Sequence, residues 1–350
     1  MPEYDSLIST IKGRITTLEG ASVSEILAIY KRVLDDLVEQ LGILTSEIEA
    51  IKSRRESITE TQLYTETRLR IFINKVITEI ERFNRLAAGL IVTAQEQAIT
   101  QAILDSKDLI KSLYGDYGES SEFAASFLNF DRRAVRNLIG TFIQTDYVKQ
   151  ILDASTVEVA QAITNVFVRN LVLGLPPRDT ADELEKKFGI PALKATTTAR
   201  TEILNAYRNG NLESYRLSQT VKAWQWSATL DRRTCPVCIA LDGREFPLET
   251  PFATHPQCRC SPLPVTRTFE ELGIEGLEEP IKPDFGPRGE EWLKRQSASI
   301  QKQILGVTKF DMYKSGRLKL NDLVETRTHP VYGQVREERT IKRLKQLGKI

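Results

Sequence analysis

Apolar residues recur along the first third of the chain in alternating steps of three and four. Val23, Leu27, Tyr30, Leu34, Leu37, Leu41, Leu44, Ile48 and Ile51 form one series, the pattern of a coiled-coil seam. A second series runs Leu69, Ile73, Val76, Ile80, Phe83, Ala87, Leu90 and Ala94. Between them lies the polar stretch SRRESITETQ. Ser22 with Glu25 predicts a capping box at the start of the first helix, and Thr59 with Gln62 a cap for the second. The pattern predicts a long antiparallel helical hairpin over residues 1–113, with a pair of ordinary bundle helices as the alternative. At roughly 1.5 Å per residue such a hairpin extends several tens of ångströms.

The glycine-bearing stretch YGDYGESSEF, from Tyr114, interrupts this rhythm and marks a boundary. Helical periodicity resumes in DRRAVRNLIGTFI and in DYVKQILDASTVEVAQAITNVFVRNLVLG, so residues 114–178 read as a helical connecting region. After Pro176–Pro177, Thr180 with Glu183 predicts a further capping box and Gly189 a helix stop. A helix then carries Ile203, Leu204, Tyr207, Leu212, Tyr215 and Leu217 on its apolar side. VKAWQWSAT alternates as a strand does, with Trp224 and Trp226 on one face and Val221, Ala223, Gln225 and Ser227 on the other. The Pro- and Gly-rich segment after it predicts loop and short hairpin rather than helix. Residues 266–287 read as an acidic linker. Residues 288–350 read as a helical extension carrying Trp292, Leu293, Ile300, Ile304 and Leu305, then a basic tail. The fold class expected is mainly α with a small α+β domain and a long N-terminal helical hairpin.

Composition narrows the picture. Forty-eight basic residues against 47 acidic ones leave a net charge of +1, so no global field draws nucleic acid or membrane, and any such contact must be local. The tail from Arg327 to the end holds seven Arg or Lys and two Glu, a local anionic-surface contact or simply a solvated end. No apolar run approaches the ~20 residues that span a bilayer, and MPEYDSLIST lacks the basic and apolar regions of a secretory signal. The expectation is a soluble protein without a membrane anchor, made in a compartment that keeps thiols reduced.

All four cysteines and one of the two histidines fall between Asp231 and Pro264. Cys235 and Cys238 form one knuckle, His255 and Cys258 a second of equal span, and Cys260 follows two residues later. That makes five candidate ligands for an ion that takes four in structural sites. Soft thiolates with an imidazole suit Zn²⁺, so the small α+β domain is expected to be zinc-stapled, by four of Cys235, Cys238, His255, Cys258 and Cys260. The alternative is four thiols in disulfides or free, with His255 at the surface. A catalytic zinc would need an open position and a general base, and Asp231, Asp242 and Glu245 show no H-E-x-x-H-type spacing. Cys235 as nucleophile with His255 as base is formally available. Arg200 and Glu202 lie two apart on a helix and do not share a face, leaving an ion pair with Asp231 or Arg232 as one option. Asp242-Gly243 reads as a turn, and His329 as structural or exposed.

ARTEILNAYRNG, then WQWSATLDRRTCPVCIALDGREF, then HPQCRC, resembles the phage head morphogenesis family, the Mu F-type minor head proteins, over residues 179–265. The stretch WLKRQSASIQKQILGVTKFDMYKSGRLKLNDLV is similar to a C-terminal segment that many members carry. The family's marked positions fall here on Arg200, Thr201, Glu202, Asp231, Thr234, Cys235, Cys238, Asp242, Gly243, His255, Pro256, Cys258, Arg259 and Cys260. The resemblance implies a minor virion protein without enzymatic activity, bound near the portal and assembled in the bacterial host cytoplasm. Its implied partners are the portal protein, the major capsid or scaffolding protein, and phage DNA during packaging or ejection. Two other classes stay open: an enzyme acting on nucleic acid, with Asp231, Arg232 and His255 near a metal, and a DNA-binding module that uses the basic tail.

Overall fold

Helix dominates the architecture, as the periodicity requires. The structure, a computed structural model, describes residues 2–52, 67–129, 133, 135, 145–173, 177–279, 288–329 and 333–350. The chain is mainly helical with a few small sheets. It folds as two compact units that interleave in sequence, one made of residues 18–94 and 144–203, the other of residues 1–17, 95–143 and 204–350.

The first unit is helical in its described residues apart from a turn at Ala154–Ser155. It takes segments of α1 (Pro2–Lys52), α2 (Thr67–Leu113), α5 (Thr145–Asp153), α6 (Thr156–Leu173) and α7 (Pro177–Ser218). Two short helices, α3 (Gly115–Gly118) and α4 (Ser121–Phe127), belong to the other unit. The buried stripe of α1 here is Val23, Ile26, Val33, Leu37, Leu41 and Leu44. Leu27, placed in the seam by the heptad reading, is 45% exposed, and Leu34 is half-buried. Apolar residues at both i+3 and i+4 offer two adjacent stripes, and a core built from several helices selects a different one from a two-stranded seam. On α2 the same choice buries Phe72 and Ile91 more deeply than Ile73 and Leu90. Phe83 meets Tyr30 edge to face at 6.3 Å, and Phe72 packs on Phe167 at 5.6 Å. Asn84, buried among these residues, donates to Asp153 Oδ1 at 2.9 Å and Thr156 Oγ1 at 3.2 Å.

Three expected helix boundaries are absent. Helix α1 runs unbroken from Pro2, and Ser22 Oγ donates back to the Leu18 carbonyl instead of capping an end. Helix α7 begins at Pro177, where a missing N–H costs nothing, so Thr180 lies inside it. It continues through Gly189 and Pro191 to Ser218. Neighbouring side chains in the core hold the chain helical across residues that locally favour a break, the ordinary way tertiary packing overrides propensity. The hairpin turn with Thr59 and Gln62, and most of DRRAVRNLIGTFI, lie outside the described residues, as do Ile48 and Ile51 as side chains.

In the second unit, α2 and α7 approach closely. A Cβ on Gly210 would sit 2.8 Å from Ala102 Cβ, so only glycine fits. Asp105, fully buried, accepts from Gln101 and from the Tyr207 hydroxyl, each at 2.8 Å, and pairs with Arg14 at 2.8 Å. Strand β1 (Val221–Ser227) lies between β2 (Glu245–Pro247) and β3 (Ser261–Thr266), antiparallel to both. Both tryptophans of β1 are buried and pack with Phe246 and Phe252.

The C-terminal extension carries the expected helices, but its tail is folded and not a solvated end. After α9 (Gly289–Arg295), α10 (Ala298–Leu305) and α11 (Val307–Lys314), the chain forms an antiparallel hairpin of β4 (Val324–His329) and β5 (Gly333–Glu338), then α12 (Ile341–Gln346). The basic tail is thus folded. Leu293, Leu305, Phe310, Leu318, Leu320, Leu323 and Leu344 form one buried cluster with Ile239 of the cysteine segment.

Candidate metal centre

Strand β1 ends beside the two knuckles. The first knuckle is a helix start rather than a loop, a difference from the sequence reading. Pro236 occupies the first position of α8 (Pro236–Leu241), with its fixed φ suited to a helix start. Cys235 caps that helix, its Sγ accepting from the Cys238 amide at 3.4 Å. The fold therefore points Cys235 and Cys238 in one direction.

The second knuckle brings its ligand atoms to the same point. His255 Nε2 lies 3.2 Å from Cys235 Sγ and 3.5 Å from Cys238 Sγ, and Cys238 Sγ lies 3.6 Å from Cys258 Sγ. Two sets, Cys235–Cys238–His255 and Cys238–Cys258–Cys260, each have their ligand atoms within 4.8 Å of one another and share Cys238. A tetrahedral ion with bonds of about 2.3 Å to sulfur and 2.0–2.1 Å to nitrogen sets ligand atoms roughly 3.5–3.8 Å apart. The 3.5 and 3.6 Å separations match that scale, and the Cys235–His255 separation of 3.2 Å is shorter. All four cysteines are free thiols, so the disulfide alternative is not realised.

Electrostatics divide the four thiols: Cys235 and Cys258 are held toward thiolate, while Cys238 and Cys260, which share their protons and are buried, are pushed well up. Cys235 is drawn down to about 5, by the hydrogen bond with Cys238 and by His255, against its burial. Burial pushes the Cys258 thiol up, but bonds with Cys238, Cys260 and His255 and the charge of Arg208 outweigh it and hold Cys258 well below the usual thiol range. Burial opposes a charge on His255, yet the sulfurs of Cys235 and Cys258 raise it to about 11. The other ring nitrogen, Nδ1, sits 2.8 Å from the Pro256 carbonyl. When Nδ1 carries the proton toward that carbonyl, Nε2 presents a lone pair to the thiols, the arrangement seen behind metal-bound histidines.

Three supports fix this geometry. Arg259 grips Asp231 through two bonds of 2.6 Å, and Asp231 also accepts from the Arg233 amide and the Thr234 hydroxyl. The Arg259 bonds hold the Asp231 carboxyl down at about 2. This pair ties the turn before Cys235 to the residue between Cys258 and Cys260, so Asp231 is committed to structure. Asp242 is buried and accepts from the Ala228 amide at 2.8 Å, while Gly243, at φ +78°, completes the turn. Burial raises the Asp242 carboxyl, opposed by its bonds to the Ala228 and Gly289 amides and by Lys12. Lys12 donates to Ser227 Oγ and the Ala228 carbonyl, both at 2.9 Å.

The third support, Arg208, was not singled out by sequence reasoning. Its side chain is 2% exposed; Nε donates to the Cys260 carbonyl at 2.8 Å and Nη2 to the Cys258 carbonyl, and its guanidinium carbon lies 5.3 Å from the Phe252 ring centre. A signal for it existed. Leu204, Arg208 and Leu212 follow one another at four-residue steps on a helix, so the arginine stands in an apolar stripe, where a cation needs partners.

Other marked residues lie in the helical unit. Arg200 pairs with Glu19 at 2.7 Å, and not with Asp231 or Arg232. Glu202 is buried there, and burial raises its carboxyl to about 7. Glu245 is exposed, and His329 sits at the end of β4.

No curated protein and no solved structure matches the chain. Residues 161–263, a segment that includes Arg208 and every ligand candidate, match the family model described as Phage Mu protein F like protein. Over that segment the chain is similar to the phage Mu F-like proteins, in support of the resemblance to the phage head morphogenesis family.

Proposed function

We propose that the chain is a minor head protein of a tailed bacteriophage, held near the portal vertex, in which one structural Zn²⁺ staples the β1–β3 module. The observation that carries the reading is the convergence of two knuckles from the family-matched segment on one point. The donor chemistry fits zinc, which binds thiolate and imidazole tetrahedrally. Cys235, Cys238, His255 and Cys258 are the set joined by the 3.2, 3.5 and 3.6 Å separations, and Cys260 stands beside it as the fifth candidate. Three thiolates and a neutral imidazole on a divalent ion leave one negative charge, which the buried Arg208 guanidinium offsets. Zinc here supplies folding free energy and no turnover.

A closed site supports a structural role over an enzymatic one. Asp231, the acid that a nucleic-acid enzyme would need, is engaged by Arg259. The helices of residues 1–113 are the docking arm in this reading, the module is the rigid body, and the partners are the portal and the inner capsid surface. Particles assembled with full-length chain test it: isolated portal rings should retain the protein. Rings from particles made with Cys238→Ser should lack it. Recovery of the wild-type chain from the shell with none on the rings would overturn the portal assignment.

A further inference from the structure

Helix α1 carries a second apolar stripe beside the one it buries. In the unit of residues 18–94 and 144–203, Leu27 is 45% and Val38 38% exposed, and Leu34 between them is half-buried. Leu27, Lys31, Leu34 and Val38 step by four, three and four, so they share one face and form a short heptad seam. Lys31 lies exposed in that seam and Asp35 exposed at its edge, and among the described residues neither is in an ion pair. Small residues bound the seam, Gly20 and Ser24 before Leu27, Gly42 and Thr45 after Val38. A Cβ on Gly20 or Gly42 would meet nothing within 4 Å. The packing of the chain itself therefore requires neither glycine, although each costs a helix interior about 1 kcal/mol relative to alanine. Glycine on an open helix face lets a second backbone come close.

We propose that this face pairs with the same face of a second copy of the chain, α1 antiparallel to α1, in a two-fold homodimer. Such a contact requires a patch that complements itself, one residue meeting a second while the second meets the first. With the axis beside Arg32 and Val33, Leu27 falls opposite Val38 of the copy and Ser24 opposite Gly42. Lys31 falls beside Asp35 of the copy, and symmetry makes that charge pair twice. The face thus reads as small, apolar, basic, acidic, apolar, small, an order that its own reverse matches with opposite charges. That self-match favours a second copy over an unrelated helix. A parallel pairing would set Lys31 against Lys31 inside the seam, where like charges repel. A lone lysine in an apolar seam fixes register and orientation in this way. The contact is short, which places the dimer in the weak, micromolar class. The inference is independent of the zinc site and of the portal reading.

Sedimentation equilibrium of the full-length, metal-replete chain between about 1 and 100 μM should show monomer passing to dimer. Lys31→Asp and Asp35→Lys should each weaken the dimer about tenfold or more, since each brings like charges together. The two changes combined in one chain should largely restore it, because the exchanged charges again meet opposite partners across the axis. Leu27→Glu should abolish it. Lys345→Asp, at an exposed lysine of α12, should leave it unchanged. Helicity by circular dichroism equal to wild type establishes that each variant is folded. A chain that stays monomeric throughout the range overturns the proposal. So does a dimer that the double exchange weakens as much as the single ones. So does a monomer held on portal rings and released from them by Leu27→Glu, which would assign the stripe to the portal.

Discussion

The helical unit and the cysteine module reach order by different routes. Residues 18–94 and 144–203 bury stripes of aliphatic and aromatic side chains, with Ile26, Leu69, Ile80, Phe83 and Phe167 each 1% exposed or less. Their stability is spread over many contacts of which no single one is indispensable. The module of residues 221–266 has two buried tryptophans and short strands, β2 being three residues long. It relies on convergent polar groups: Arg259 on Asp231, Arg208 on two carbonyls, and sulfurs around His255. Cores of the first kind tolerate substitution by degrees. Sites of the second kind fail as a whole when one ligand or one clamp is lost.

That contrast can be broken most severely at a ligand. Cys238→Ser should cost the module its bound metal, of the order of 10 kcal/mol of coupled folding free energy. Emission from Trp224 and Trp226 should shift to the red while far-ultraviolet helicity is largely kept. Phe83→Ala in the helical unit should destabilise by about 3–5 kcal/mol in denaturant titration, with metal stoichiometry unchanged. Arg208→Met should leave two buried carbonyls unpaired, costing about 1–3 kcal/mol and weakening metal retention about 10–100-fold in chelator competition. Arg208→Lys should recover only part, because a lysine cannot bond both carbonyls as a fork does.

A smaller effect sharpens the comparison through pH. Glu202 has its folded-state pKa raised by burial from 4.5 to about 7. Its contribution is therefore most favourable below about 4.5 and is lost as pH rises toward 7. Glu202→Gln should be nearly neutral at pH 4.5 and stabilising by about 2 kcal/mol at pH 8, read from denaturant midpoints. A constant difference across that range would contradict the burial of a carboxyl there.

The helices were legible where periodicity alone decides. Val23, Leu37, Leu41, Leu44, Ile80 and Phe83 are buried as the spacing predicts. Ile26 displaced Leu27 from the stripe because both spacings are helical, and only the surrounding helices choose between them. The breaks expected at Ser22, Thr180 and Gly189 were local preferences overruled by packing. The clustering of Cys235, Cys238, His255, Cys258 and Cys260 was legible, since their spacing along the chain already groups them. The supports were not, because Arg208 lies some fifty residues from the carbonyls it holds. The β4–β5 hairpin was missed because its strands, VETRTH and GQVREE, carry mostly polar side chains and bury little beyond Val335.

The most direct measurement of the central claim is elemental analysis of the full-length chain, purified under reducing conditions without added metal, together with tryptophan emission before and after a strong chelator. A zinc-stapled module gives one zinc per chain and a red shift of Trp224 and Trp226 once it is removed. A metal-free preparation with native emission, unchanged by chelator, would contradict it.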